Sequence, residues 1–217
     1  MTKKERYKIV LDYFQKTMGP KSSELSYYSP FQLVVAVMLS AQCTDKRVNM
    51  TTPAFFAAFH SPKELSQASF EQVYNLIKSI SYPNNKAKHL IAMAKRIMSD
   101  FDGVVPSTVE NLMKLEGVGR KTANVVTLEL FGQPNMAVDT HVFRVSNRIG
   151  LTKSSNVLQC QKQLEANIPK DLIPNAHHWI LFHGRYVCKA RRPLCEECGL
   201  KSCCIYFSLH LFGGEEK

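Results

Sequence analysis

No apolar run in this 217-residue sequence approaches the ~20 residues that a membrane-spanning helix needs; the longest, Leu33 to Leu39, is far too short. Behind the charged stretch Met1 to Arg6 there is no apolar core and no small-residue cleavage site of a secretory signal. A cytoplasmic protein is therefore expected, nucleoid-associated if the source is prokaryotic. Tandem repeats, low-complexity tracts and flexible linkers are missing too, so any domain division must arise from how the elements pack. Acidic residues are scarce beside basic ones, 18 Asp and Glu against 28 Lys and Arg, which leaves a net charge of +10 and a pI near 9.3. That balance favours a polyanion over an acidic protein or a neutral metabolite, although charge alone does not separate nucleic-acid binding from generic basic solubility. A hydrophobic content of 45% excludes a disordered tail and supports one large domain or two small ones sharing an interface.

A long two-residue alternation of apolar and polar positions is also absent. Apolar residues recur at spacings of three and four, so an all-α fold is expected. Start signals repeat: Ser29 before Pro30, Ser61 before Pro62, Ser69 followed by Gln72, and Ser107 followed by Glu110, the last two with capping-box spacing. Stops repeat at Gly19-Pro20, Asp102-Gly103, Gly132 and Gly150. Helices are predicted over 3–18, 30–41, 45–59, 70–80, 84–101, 108–114, 120–131, 140–149, 155–167 and 172–187, with Pro53 and Pro174 counting against two of them. Gly213 to Lys217 reads as a solvated end.

Residues 115–126 read Leu-Glu-Gly-Val-Gly-Arg-Lys-Thr-Ala-Asn-Val-Val, two glycines between a short helix and a longer one. This is the pattern of a helix-hairpin-helix. The glycines allow a tight turn, and the second helix offers unpaired N–H groups and a positive dipole end to a phosphate. Such contacts grip DNA without reading its sequence. A lone Gly-x-Gly would suit an ordinary helical hairpin; the full string after a capped helix favours DNA and singles out Gly117, Val118, Gly119, Arg120 and Thr122. Downstream, Ala-Val-Asp-Thr-His-Val-Phe-Arg at 137–144 places Asp139 as a helix N-cap.

Seven cysteines are an odd number, and five of them lie between Cys188 and Cys204, which in a reducing compartment argues for metal ligation over disulfides. Four thiolates suit zinc or an iron–sulfur cluster, and spacing alone puts zinc slightly ahead. Closing that loop round a metal would present Lys189, Arg191 and Arg192 together to a DNA backbone. Cys43 and Cys160, on helical patterns, read as small buried residues. His177, His178 and Trp179 read as packing, and His141 as a structural hydrogen-bonding residue.

The hairpin, Val-Asp-Thr-His at 138–141, Leu-Ser-Ala-Gln at 39–42, His-Gly-Arg-Tyr at 183–186 and the cysteine tail together resemble the endonuclease III family of DNA glycosylases, over essentially the full length. The resemblance implies two helical domains flanking a DNA-binding cleft. One is a six-helix domain, 23–133, containing the helix-hairpin-helix; the other, 1–22 plus 134–217, is an iron–sulfur cluster domain. Lys121 would face Asp139 across the cleft. It further implies a monomeric, bifunctional enzyme of base excision repair, a DNA glycosylase and AP lyase that acts on double-stranded DNA carrying oxidised pyrimidines or abasic sites, with no membrane partner. Lys121 would be its nucleophile, forming a Schiff base that permits β-elimination, and Asp139 would stabilise positive charge on the sugar. Gln42 would fill the gap left by a flipped base. The spacing C-x6-C-x2-C-x5-C would select Cys188, Cys195, Cys198 and Cys204 for one structural [4Fe-4S] cluster, with Cys203 spare.

At 81–87 the sequence, Ser-Tyr-Pro-Asn-Asn-Lys-Ala, departs from the family's common Gly-Leu-Tyr-Asn-x-Lys-Ala. Alignment on Lys-Ala puts Tyr82 where a leucine wedge is expected, so Tyr82 is read as an intercalating DNA contact on a turn stiffened by Pro83. Adenine-mismatch glycosylases are the competing reading within the superfamily; they lack the lysine nucleophile and carry a glutamate where this sequence has Ala36. A non-catalytic hairpin module with structural zinc would make Lys121 and Asp139 coincidental.

Overall fold

A computed structural model describes residues 1–212 of the chain, with side chains through Leu209; the end at Gly213 to Lys217 lies outside the described residues. Among the described residues every regular element is helical, and no helix is long and apolar enough to cross a membrane. The chain divides into two compact units, Ser23–Gly132 and the discontinuous pair Met1–Ser22 with Gln133–Lys217.

The discontinuous unit begins with α1 (Lys3–Met18), opened by a capping box between Thr2 and Glu5. The unit Ser23–Gly132 then carries α2 (Pro30–Ser40), α3 (Asp45–Ala58), α4 (Pro62–Ser66), α5 (Phe70–Ile77), α6 (Pro83–Asp100), α7 (Val109–Leu112) and α8 (Arg120–Phe131). Six of these fall where helices are expected, and α4, a short segment on the Ser61-Pro62 start, is the addition. α2 is buried from Phe31 to Leu39 apart from half-buried Gln32, so its β-branched valines are held helical by packing from all sides rather than by propensity. Ala36, on this helix, is wholly buried. Around it Phe55, Leu65, Ile77, Leu90, Met93, Ile97 and Leu112 close the core without measurable exposure.

Several boundaries differ from expectation for identifiable reasons. The cap of α7 is Thr108, whose hydroxyl accepts from the Asn111 N–H, so the helix starts one residue later than the Ser107 signal indicates. α4, which follows the Ser61-Pro62 start signal where no helix is predicted, forms on a capping box between Ser61 and Glu64. α3 runs through Pro53, giving up one helical hydrogen bond.

In the discontinuous unit α1 is joined by α9 (Thr140–Ile149), α10 (Val157–Glu165), α11 (Ile173–Phe182) and α12 (Ile205–Phe212), the last absent from the sequence expectation. Pro174 sits in the first turn of α11, where its missing N–H costs nothing; the long helix predicted to 187 instead gives way at His183 to a wider π-type turn, His183–Val187. Fully buried Phe14 of α1 meets Trp179 at 6.3 Å and His183 at 5.4 Å between ring centres. Trp179 Nε1 donates to Gly19 O at 2.7 Å, Tyr7 Oη to Leu151 O at 3.0 Å and Arg6 Nε to Cys203 O at 2.9 Å, tying the first helix to the last third of the chain. His177 and His178 are buried beside Trp179, as packing residues are.

Phe14→Ala should therefore destabilise the protein by about 3–5 kcal/mol in urea titration. Val157→Ala, at an exposed site, should stay within ~0.5 kcal/mol of the parent.

Candidate active site and cysteine centre

Gly117 and Gly119 serve different ends. Gly117 has φ +77, and a Cβ there would press to 2.9 Å on His89 Cβ and Met38 Cε, so backbone and packing both demand glycine. Gly119, the N-cap of α8, has an ordinary φ of −87, and a Cβ on it would meet nothing within 4 Å. Nothing in the protein requires this second glycine. It supplies no capping side chain, so the first amides of α8 are left to solvent or a ligand, and the space before them is open for a phosphate. Val118 is a packing residue: its side chain is buried and its N–H donates to Leu115 O. Arg96 braces the turn, bonding Glu116 at 2.7 Å and Asp100 at 3.2 Å, and its guanidinium holds the Glu116 carboxyl below the usual carboxylate range. Arg120 and Lys121 occupy the first two positions of α8, both exposed, and Thr122 follows half-buried.

Two further loops of the same unit carry Gln42 and Tyr82. Both residues are exposed, and both adopt left-handed backbone, at φ 54 and φ 56. Ser81 Oγ donates to Gln42 O at 2.8 Å, so the loops touch. Behind them Lys86, 9% exposed, donates from Nζ to Leu39 O at 2.8 Å and Ala41 O at 2.6 Å. Burial pushes its ammonium below the usual lysine range. Cys43, next to Gln42, is half-buried rather than buried as expected; Cys160 is wholly buried.

Asp139 lies in the other unit as the N-cap of α9. Its Oδ1 accepts from the Val142 N–H at 2.8 Å, a bond that leaves the other carboxylate oxygen uncommitted to the cap. The opposite end of α9 grips the cysteine loop. Arg144 donates to Cys188 O and Gly184 O, and Arg148 to Lys189 O and Ala190 O, with its Nη1 3.6 Å from Cys188 Sγ. Gly184 permits this closeness, since a Cβ there would press on His141 and Val145. His141 Nδ1 lies 3.2 Å from Arg144, in the hydrogen-bonding role expected of it.

Cys188, Cys195, Cys198 and Cys204 line one pocket, otherwise walled mainly by apolar side chains such as Ile149, Leu194, Leu200 and Phe207. Buried Cys203 is outside that lining. Burial pushes the thiols of Cys195, Cys198 and Cys204 up, and neighbouring cysteines of the set push the same way. Among the described residues no three His, Cys, Asp or Glu side chains converge on a single-ion position. Around one zinc the sulfurs would have to stand about 3.8 Å apart, given a metal–sulfur distance of ~2.3 Å. Four thiols on one largely apolar wall have the donor chemistry of a soft-metal site. His183, pushed down to about 4 by burial and hence neutral, has Nε2 3.6 Å from Cys198 Sγ. Lys189, Arg191 and Arg192 are exposed on the loop between the first two cysteines. Lys86, Arg144, Arg148 and His183 were not identified from the sequence as site residues; a lysine in a first helical turn and arginines on a polar helix face carry no signal of their partners.

Residues 35–170 match the HhH-GPD superfamily of base excision DNA repair proteins. The chain is 46% identical to endonuclease III of Rickettsia conorii over 91% of its own length and 94% of that protein's. Against endonuclease III of Bacillus subtilis it is 47% identical over 83% of each. Its structure superposes with a TM-score of 0.91 and 39% identity on that of a trapped covalent intermediate of endonuclease III with DNA, covering 97% of this chain and 100% of the other.

The two glycines should separate experimentally. Gly117→Ala should lower stability by more than ~1 kcal/mol, because positive φ and overlap act together. Gly119→Ala should change stability by less than ~1 kcal/mol yet weaken retention of duplex DNA, as measured by melting and by fluorescence anisotropy.

Proposed function

The chain belongs to the endonuclease III family, within the HhH-GPD superfamily of base excision DNA repair proteins, and on that premise we propose which of its residues perform the work of a DNA glycosylase and AP lyase. Lys121 is the nucleophile. The observation that carries this is its place: exposed, at the second position of α8, directly behind the uncapped amides that can hold a phosphate of the strand. An amine attacks only after giving up its proton, and the water that stabilises an ammonium at this exposed site is displaced when a duplex covers it.

The neutral amine attacks C1′ of the damaged nucleotide. The C1′–N bond breaks, the base leaves with its electron pair and takes up a proton, and loss of the amine's proton with ring opening gives a Schiff base. The C2′ proton, now acidic, is removed, and the C3′–O bond breaks with the phosphate as leaving group. Asp139, with one oxygen held by the Val142 N–H, keeps the other for the positive charge that develops on the sugar. The hairpin backbone from Gly117 to Thr122, together with Lys189, Arg191 and Arg192, holds phosphates; Gln42 and Tyr82 enter the duplex where the base has left it. Substrates are oxidised pyrimidines and abasic sites, and the enzyme works as a monomer in the cytoplasm.

The family suggests an iron–sulfur cluster in general, and the four cavity cysteines are the residues that would hold one [4Fe-4S] group. When bound it cross-links the 188–204 segment and fixes the basic loop. Arg148, beside Cys188 Sγ, and neutral His183, beside Cys198 Sγ, are the outer residues that orient those ligands.

Borohydride should trap the protein on duplexes bearing a single oxidised pyrimidine, and Lys121→Ala should abolish the adduct; normal trapping by that variant would remove Lys121 from the role. Asp139→Asn should bind such duplexes while releasing the base about 10²-fold more slowly. Preferential removal of adenine opposite 8-oxoguanine would overturn the pyrimidine assignment.

Iron and sulfide should each analyse at about four per chain. Cys203→Ser should keep that content and the accompanying visible absorption, whereas Cys204→Ser should lose them. One equivalent of zinc in a colourless sample would refute the cluster.

A further inference from the structure

The carbonyls at the end of α2 are satisfied in an unusual way. Val37 O accepts from Ser40 Oγ and Ser40 O from the Cys43 N–H, but Leu39 O and Ala41 O both accept from Lys86, a residue of another helix. No glycine follows α2 to close it; Gln42 takes the left-handed conformation instead. The ammonium of Lys86 is thus the C-terminal cap of α2, where the helix dipole favours a cation. For its own helix the placement is unfavourable, since Lys86 stands in the first turn of α6, at the positive end of that dipole. A buried lysine is rare and loses hydration, so its stabilising role lies with α2 and the loop that follows.

The same residue holds the second loop. The Lys86 N–H donates to Tyr82 O at 3.1 Å, the bond that starts α6, and Tyr82 contributes no capping side chain. Ser81 Oγ closes the ring by donating to Gln42 O. Non-glycine residues with positive φ carry backbone strain and persist only where their surroundings over-determine them. Two of the four such residues among the described ones, Gln42 and Tyr82, stand on either side of this ring.

We propose that Lys86 is a positioning residue that joins the Gln42 and Tyr82 loops into one rigid probe of the duplex. The proposal rests on the reading that Gln42 and Tyr82 enter the duplex. Lys86 touches no DNA; it holds two strained loops in register through their carbonyls, so both side chains meet the base stack together. A methionine would fill the same space without donating, leaving buried Leu39 O unpaired and Ala41 O without its tie to α6.

The test measures, on the full-length protein, single-turnover base release from a duplex with one oxidised pyrimidine and strand cleavage at a pre-formed abasic site, with 2-aminopurine beside the lesion reporting unstacking. Lys86→Met should lower the ratio of base release to abasic cleavage by roughly ten- to a hundredfold and reduce the 2-aminopurine signal, as displacement of a positioned group does. Lys86→Arg, which still donates, should recover most of both. Combined with Tyr82→Ala, Lys86→Met should add little, because the two act as one unit. Should Lys86→Met not fold, Ser81→Ala breaks the other tie and should shift the ratio the same way. The proposal is overturned if Gln42→Ala and Tyr82→Ala lower the ratio while Lys86→Met and Ser81→Ala do not, or if Lys86→Met depresses both activities equally along with the melting temperature. If Gln42→Ala and Tyr82→Ala leave the ratio unchanged, the underlying reading fails first, and the proposal with it.

Discussion

Every α-helix ends with backbone groups it cannot pair itself, four N–H at one end and four C=O at the other, and how those groups are satisfied organises this protein. Most starts are closed by a neighbouring hydroxyl or carboxamide oxygen: Thr2, Ser29, Thr44, Ser61, Ser69, Thr108 and Asn156 each accept an amide three residues on. These closures are local and fix where the helices begin. Of the uncapped starts, α11 follows a 3-10 turn and carries Pro174 in its first turn, whereas the others lie at sites assigned to function. α8 starts at Gly119 with no cap, α6 at Tyr82 with no cap and left-handed backbone, and α9 at Asp139, a cap whose carboxylate retains spare capacity.

The same economy shows in the cysteine centre. α9 carries Asp139 at its first end and, through Arg144 and Arg148 near its last turns, supports the carbonyls from Gly184 to Ala190. One helix of ten residues therefore orients both the carboxylate and the entry to the cysteine loop. The glycines of this unit act as clearances: Gly184 admits α9, and Gly199 admits the ring of Tyr13.

What could be read from the sequence follows from the range of the interaction that decides each feature. Ser69 with Gln72, Asp139 before Thr140 and Gly132 after Phe131 are nearest-neighbour signals, and those boundaries stand where the residues place them. Ser107 and Thr108 are adjacent hydroxyls, and composition cannot choose which reaches an amide three residues on. α11 reads as continuous to 187 because its apolar spacing does not betray the π-type turn at His183, which depends on contact with α9. Lys86 is the clearest case. With Asn84 and Asn85 before it and Lys88 two positions on, it carries no local sign of burial; its partners are carbonyls at the end of α2.

The return of α1 to the last third of the chain has a temporal meaning. During synthesis α1 emerges well before its partners: Gly19 must wait for Trp179, 160 positions later, and Arg6 waits longer still for Cys203. The contiguous unit Ser23–Gly132 has no such delay, since all its core residues are available once Gly132 has left the ribosome. The nascent protein thus acquires its hairpin-bearing half while the half that houses the 188–204 cysteine loop is still unfinished, with α1 held in reserve as an amphipathic segment until its partners arrive.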